Sequence, residues 1–287
     1  VEVRRIEAGG LEFGYLEAGS GPLALCLHGF PDTAWTFRHL LPRLAEAGYH
    51  AVAPFMRGYA PTAVPDDGEY GGGALIADAV ALHEAFGGDD RAVIIGHDWG
   101  AFPAYGATAF APKRWRRAVA MAVPPVGAMP GAFLDYAQLK RSFYVFLFQT
   151  PLAEAAVTAG GMAFLDGLWR DWSPGYDAAG DVARVKAALG DPANLGAALG
   201  YYRAMLGAVP PGDRYAAEQR AAGLPPARPT LYLHGTADGC LGADAVKEAG
   251  AHLPPGSRME YVESAGHFLH LERPDEVNRL VLDWLAG

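Results

Sequence analysis

Ala92-Val93-Ile94-Ile95-Gly96-His97-Asp98-Trp99-Gly100 is an apolar, β-branched run that ends in a glycine-bracketed pentapeptide. Such a run predicts a buried strand. The Ala- and Tyr-rich stretch from Ala101 to Phe110 predicts a helix. The pentapeptide is therefore a strand–tight turn–helix junction with G-x-nucleophile-x-G spacing, and Asp98 fills the nucleophile position. The turn strains the backbone and leaves no room for large neighbours, hence glycine at both ends. The helix start aims backbone N–H groups and the positive end of its dipole at Asp98. A carboxylate here differs in kind from a serine. Serine takes an acyl group from its substrate. Aspartate attacks an electrophilic sp³ carbon and becomes the acyl half of an alkyl ester. The structural alternative is an ordinary helix N-cap, a role Asp fills well.

Working outward, short strands are predicted near Val3–Glu7 and Leu11–Leu16, with interior strands at Leu23–Leu27 and Ala51–Ala53. Phe37–Ala47 and Ala74–Phe86 read as helices, the second with Asp78, His83 and Glu84 on its polar side. Ala118–Val123 is the next strand. Alternating strand and helix predicts a mostly parallel sheet with helices on both faces. After Pro124-Pro125 the alternation stops. Phe143–Phe148, Leu152–Asp166, Ala179–Leu189 and Asn194–Leu206 read as helices, with no convincing strand among them. Strands resume at Thr230–His234 and Met259–Val262, and the chain closes with a helix near Asp275–Leu285. An insertion of that length is too long for a loop. It reads as a helical cap, residues 127–226, placed after the sixth strand of a core formed by 1–126 and 227–287. The crevice of such sheets lies beyond the carboxyl ends of the strands, where a cap would close it.

Composition narrows the classes. A chain of 287 residues, 51% hydrophobic and 11% aromatic, supports a large core and excludes disorder. A net charge of −9 without any Lys/Arg cluster speaks against nucleic acid or an anionic membrane as partner. No apolar run reaches the ~18 residues of a membrane span. Val1-Glu2-Val3-Arg4-Arg5 carries no signal-peptide pattern, so a cytoplasmic location is expected. Cys26 lies in the Leu23–Leu27 run and reads as a small buried hydrophobe rather than half of a disulfide with the distant Cys240. The cysteine spacing offers no metal site, and there is no dinucleotide fingerprint or P-loop, so no cofactor is expected.

Three more motifs fall at strand ends. In His28-Gly29-Phe30-Pro31, Gly29 permits close backbone approach, and the Phe30–Pro31 bond suits a cis turn. The backbone N–H groups of Phe30 and Trp99 are candidates for an oxyanion hole. In His234-Gly235-Thr236-Ala237-Asp238, Asp238 would orient a histidine, although turn formation alone also explains it. In Ser264-Ala265-Gly266-His267-Phe268, His267 would be the base. The order Asp98, Asp238, His267 is the nucleophile–acid–histidine order of the α/β-hydrolase triad.

With these residues in place, the chain resembles the epoxide hydrolases of the α/β-hydrolase fold along nearly its whole length. The resemblance rests on His28-Gly29-Phe30-Pro31, Gly96-His97-Asp98-Trp99-Gly100 and Gly266-His267-Phe268-Leu269-His270-Leu271-Glu272-Arg273-Pro274. Arg57-Gly58-Tyr59 also matches, with Phe55 and Ala60 where Asp and Gly are more usual. The resemblance implies cofactor-free opening of an epoxide to a vicinal diol. It further implies that two cap tyrosines hold the epoxide oxygen. Tyr144, five residues before Gln149 in Tyr144-Val145-Phe146-Leu147-Phe148-Gln149-Thr150-Pro151, fits the first. Tyr202 in Tyr201-Tyr202-Arg203 fits the second. A phenol of pKa about 10 can hydrogen-bond the oxygen and protonate it as the ring opens. The aromatic cap suggests a small apolar or aromatic substrate.

Haloalkane and fluoroacetate dehalogenases share the fold and the aspartate. A halide needs N–H donors, of which Trp99 offers one. Phe30 stands where a second donor, Asn, is common, and Trp169 or Trp172 would have to substitute. Trp99 also replaces the arginine usual in fluoroacetate dehalogenases. A non-catalytic ligand-binding member of the fold is the remaining class, against which every triad position is filled.

Overall fold

The computed structural model describes residues 2–129, 131 and 134–287. Its strands are β1 (Arg4–Ala8), β2 (Leu11–Ala18), β3 (Leu23–Leu27), β4 (His50–Pro54), β5 (Val93–His97), β6 (Arg117–Met121), β7 (Thr230–Gly235) and β8 (Arg258–Val262). They form one sheet in the order β1-β2-β4-β3-β5-β6-β7-β8. β1 and β2 form an antiparallel pair, and β2 runs antiparallel to β4. All other neighbours are parallel. This is the α/β-hydrolase fold, with the cap segment leaving the sheet after its sixth strand.

β3, β5 and β7 are buried along their whole length, as expected of central parallel strands covered on both faces. β5 lies between β3 and β6, with Ile95 opposite both Cys26 and Val119. Apolar packing thus fixes the strand that ends at Asp98. The covering helices are α1 (Leu40–Glu46), α2 (Gly72–Ala85) and α3 (Ala101–Phe110). α2 differs from its sequence reading. His83 is buried rather than on a polar face, with its Nε2 3.2 and 3.1 Å from the carbonyls of Asp89 and Arg114. The helix is enclosed by β1, by α3 and by a helix of the insertion, so its polar stripe is narrow. Asp78 is engaged too, accepting two 2.6 Å hydrogen bonds from the Arg57 guanidinium.

Between β6 and β7 come α4 (Tyr136–Arg141), α5 (Phe143–Leu147), α6 (Ala153–Trp172), α7 (Ala179–Leu189), α8 (Pro192–Met205) and α9 (Ala216–Ala222), with no strand among the described residues. α6 is broken at Ala159–Met162, where Gly160, Gly161 and Met162 take φ values of 58°, 67° and 61°. α9 lies against α2 and α3, and Gly73 N–H donates to Gln219 Oε1 at 2.7 Å. After β8 the chain makes α10 (Leu269–Glu272) and α11 (Pro274–Ala286). α11 buries Val277, Val281, Trp284 and Leu285 at helical spacing, and its Trp284 indole N–H donates to the Ala118 carbonyl at 3.0 Å. Among the described residues no helix is long and apolar enough to cross a membrane.

Candidate active site

The site is assembled where β3, β5, β7 and β8 end. Asp98 follows β5 at φ 51°, a left-handed conformation rare outside glycine. The turn is so tight that a Cβ on Gly96 would lie 2.1 Å from the Gly100 carbonyl oxygen. The loop after β3, with its cis Phe30–Pro31 bond, runs directly alongside. A Cβ on Gly29 would lie 2.1 Å from Asp98 Oδ1 and 2.6 Å from the Trp99 backbone nitrogen. That closeness lets Phe30 N–H donate to Asp98 Oδ1 at 2.7 Å.

The other carboxylate oxygen faces the histidine. His267 Nε2 stands 3.5 Å from Asp98 Oδ2, and His267 Nδ1 is 2.9 Å from Asp238 Oδ2. Asp238 Oδ1 accepts from the N–H groups of Cys240 and Leu241 at 2.7 and 3.0 Å, which fixes the carboxylate plane. Burial disfavours the charged imidazole. Asp238 and the hydrogen bonds to Asp238 and Asp98 outweigh it and hold His267 well above the usual histidine range. Asp238 is pushed up by burial but ends below its ordinary value because of the imidazole and its hydrogen bonds.

The cap reaches into this assembly. The Trp172 carbonyl, at the end of α6, accepts from His267 N–H at 2.9 Å and from Gly239 N–H at 3.1 Å. The Trp169 indole N–H donates to the Pro31 carbonyl at 2.8 Å. Ser173 Oγ accepts from Phe268 N–H at 3.0 Å and donates to Glu272 Oε1 at 2.6 Å, and Glu272 Oε2 accepts from Gly266 N–H at 2.9 Å. Trp169 stacks on Phe268 with ring centroids 3.5 Å apart.

Above Asp98 is a chamber of about 40 Å³ lined by Asp98, Trp99, Tyr144, Tyr202, Cys240 and Leu241, among others. Tyr144 comes from α5 and Tyr202 from α8, with rings 5.6 Å apart. Burial raises both phenols well above their usual range, so they remain protonated donors. Among the described residues Tyr202 Oη has no hydrogen-bond partner, whereas Tyr144 Oη meets Cys240 Sγ at 3.3 Å. The structure therefore brings Asp98, Asp238 and His267 into one chain of contacts and sets Tyr144 and Tyr202 in the chamber. It leaves the Trp169 N–H engaged elsewhere.

Residues 22–274 match the family model described as alpha/beta hydrolase fold. The chain is 31% identical over 325 residues to epoxide hydrolase A of Mycobacterium tuberculosis, covering 99% of this chain and 97% of that protein. It belongs to the α/β-hydrolase-fold epoxide hydrolase family. Within that family, epoxide hydrolase 3 of Xenopus tropicalis is 32% identical over 295 residues, covering 98% of this chain and 76% of that relative. The structure of epoxide hydrolase A from Mycobacterium thermoresistibile superposes with a TM-score of 0.76 at 28% identity, covering 100% of this chain and 98% of that one.

Sequence reasoning missed Cys240, Ser173 and the Trp172 carbonyl. Cys240 was read only as a cysteine distant from Cys26, because its contacts depend on the cap folding back onto the loop after β7. Glu272 stood inside the quoted Gly266–Pro274 motif, and its spacing from Gly266 was the available signal.

Proposed function

We propose that this chain hydrolyses epoxides to vicinal diols through an alkyl ester on Asp98. The observation that carries this reading is the shared chamber, which two buried phenols line together with the carboxylate. Asp98 Oδ2 attacks an epoxide carbon while Tyr144 and Tyr202 hydrogen-bond the departing oxygen and supply its proton. Oδ1 stays on Phe30 N–H, where it becomes the ester carbonyl. Esterification also removes one of the two anions flanking His267. The imidazolium then loses part of what holds its proton, passes it to the phenolate that ring opening left, and as a neutral imidazole takes one from water. That water attacks the ester carbon, and the oxyanion develops against the N–H groups of Phe30 and Trp99.

Apolar groups dominate the rest of the chamber: Phe102, Val123, Met129, Val145, Met205 and Leu241. Its volume, about 40 Å³, is small. A substrate larger than the ring must therefore displace side chains, and the two methionines are the most adaptable. This supports a small apolar or aromatic epoxide. Halide release from a haloalkane is the competing reading. It would need a second N–H donor: the Trp169 donor is bound to Pro31 and Phe30 has no side-chain donor, which leaves Trp172, whose ring lies 5.0 Å from those of Tyr144 and His267.

A panel of styrene-type oxides, aliphatic epoxides and haloalkanes, assayed together for diol and halide, tests the reaction. His267→Gln tests the intermediate: it should accumulate a mass increase of one substrate on Asp98, and Asp98→Ala should show none. Halide without diol would make the protein a dehalogenase. Diol without any adduct in His267→Gln would overturn the ester mechanism.

A further inference from the structure

The reaction proposed above leaves two charges to cancel. Ring opening takes a proton from a tyrosine and leaves a phenolate. His267 enters the cycle as an imidazolium, held by its carboxylates, and must give up that proton before it can take one from water. A transfer from imidazolium to phenolate, made after alkylation and before hydrolysis, cancels both charges.

One side chain lies between them. Cys240 Sγ is 3.3 Å from Tyr144 Oη. It is also no more than 4.8 Å from the ring nitrogens' nearest ligand position on His267 and from the Asp238 carboxylate. The thiol is held from both sides. Cys240 N–H donates to Asp238 Oδ1 at 2.7 Å, and its carbonyl accepts from Gln138 Nε2 at 2.8 Å. Gln138 is fully buried in α4 and also accepts from Gly242 N–H at 3.0 Å, so the cap clamps this turn in place. Tyr202 shares the chamber, but among the described residues only the Tyr144 hydroxyl meets the thiol, so the two phenols are not equivalent. Burial keeps the thiol protonated at rest, which makes its S–H available as a donor.

We propose that Cys240 is a proton bridge that carries the proton from His267 to Tyr144 once Asp98 is esterified, which frees the imidazole to activate water. The proposal rests on the epoxide-hydrolase reading. The step balances without a further reactant. The S–H proton moves to the Tyr144 phenolate, re-forming its O–H bond. The imidazolium proton moves to sulfur, re-forming the thiol. The net result is neutral His267, neutral Tyr144 and an unchanged Cys240.

Rapid-quench kinetics on the wild type, Cys240→Val and Cys240→Ser tests it, with circular dichroism melts as the folding control. Valine keeps the apolar volume and cannot carry a proton, whereas serine can. In Cys240→Val the first-turnover alkylation of Asp98 should stay within about twofold of wild type. Its steady-state rate should fall about 10²-fold, the low end of what positioned proton-transfer groups contribute, and its solvent deuterium isotope effect should rise. Cys240→Ser should recover most of the rate. Wild-type turnover in Cys240→Val would overturn the bridge. Equal loss in the valine and serine variants would assign Cys240 to packing and overturn it as well. Diol formation by the wild type reports separately on the parent reading.

Discussion

The two oxygens of Asp98 have different neighbours: Oδ1 is held by Phe30 N–H, and Oδ2 faces His267. If Oδ2 attacks, it leaves with the diol and is replaced from water, while Oδ1 stays. Many turnovers in heavy-oxygen water should therefore load one heavy oxygen per Asp98, read by peptide mass spectrometry. Two would mean that the carboxylate rotates between turnovers, and none would rule out the ester. The phenols make a second prediction at this scale. Each of Tyr144→Phe and Tyr202→Phe removes one donor with little change in packing. Loss of one well-aimed donor costs on the order of 10²–10³ in rate, and paired donors cover partly for each other. The double variant should melt near wild type yet scarcely alkylate Asp98 in a rapid-quench assay. Near-normal alkylation in a folded double variant would remove both tyrosines from the mechanism. Asp98, Asp238 and His267 were legible in the sequence because residue type, strand-end position and chain order all constrain them. The Cys240 contacts were not, because nothing near residue 240 encodes what the cap brings to it.

At the scale of elements, α6 deserves a test of its own. Its sequence reading stopped at Asp166, but the helix continues to Trp172, and the extra turn makes the contacts to the catalytic loops. Those contacts use the Trp172 backbone carbonyl and a short hydroxyl, neither of which has a sequence signature. Ser173→Ala removes the acceptor of Phe268 N–H and the donor to Glu272. A buried group left unpaired costs roughly 1–3 kcal/mol. The expected result is a lower melting temperature and slower hydrolysis of the Asp98 adduct, with alkylation less affected, since His267 precedes Phe268. Unchanged melting would show that this strut carries no load.

For the whole molecule, stability against pH follows from groups buried behind the triad. His28 donates from Nδ1 to the Gly29 carbonyl and accepts Met56 N–H at Nε2, so a second proton would break its bonding. Burial lowers it to about 4, and lowers the adjacent His97 to about 3. Between pH 6.5, where these histidines charge when unfolded, and those values, each costs about 1.4 kcal/mol per pH unit of acidification. Asp32 acts in the opposite direction: burial raises it from 3.8 to about 8, so in that window it is protonated when folded and ionised when unfolded. Its effect lowers stability as pH rises. His267, held high by its carboxylates, adds to the same alkaline decline above 6.5. Two histidines outweigh one aspartate on the acid side, so melting temperature should peak near pH 6.5. Asp32→Asn should make the alkaline decline shallower by about 1.4 kcal/mol per pH unit. An unchanged slope would mean that Asp32 is already ionised in the fold. The sheet itself was largely legible, since apolar runs and strand–helix alternation follow from burial on both faces. His83 was misread because a helix enclosed on three sides hides residues that its sequence marks as polar.

The hydrogen bonds from His267 and Gly239 to the end of α6 have a consequence for modularity. An insertion that completes the catalytic scaffold is not a detachable cassette. A foreign cap grafted across the whole segment would remove the keystone under the base and the acid together. The stretch from the break at Ala159–Met162 to Ser173 must travel with the core, and so must Gln138, which holds the turn after β7. Since Tyr144 lies upstream of that break, recognition of the substrate can diverge while the hydrolytic half of the machine is inherited intact.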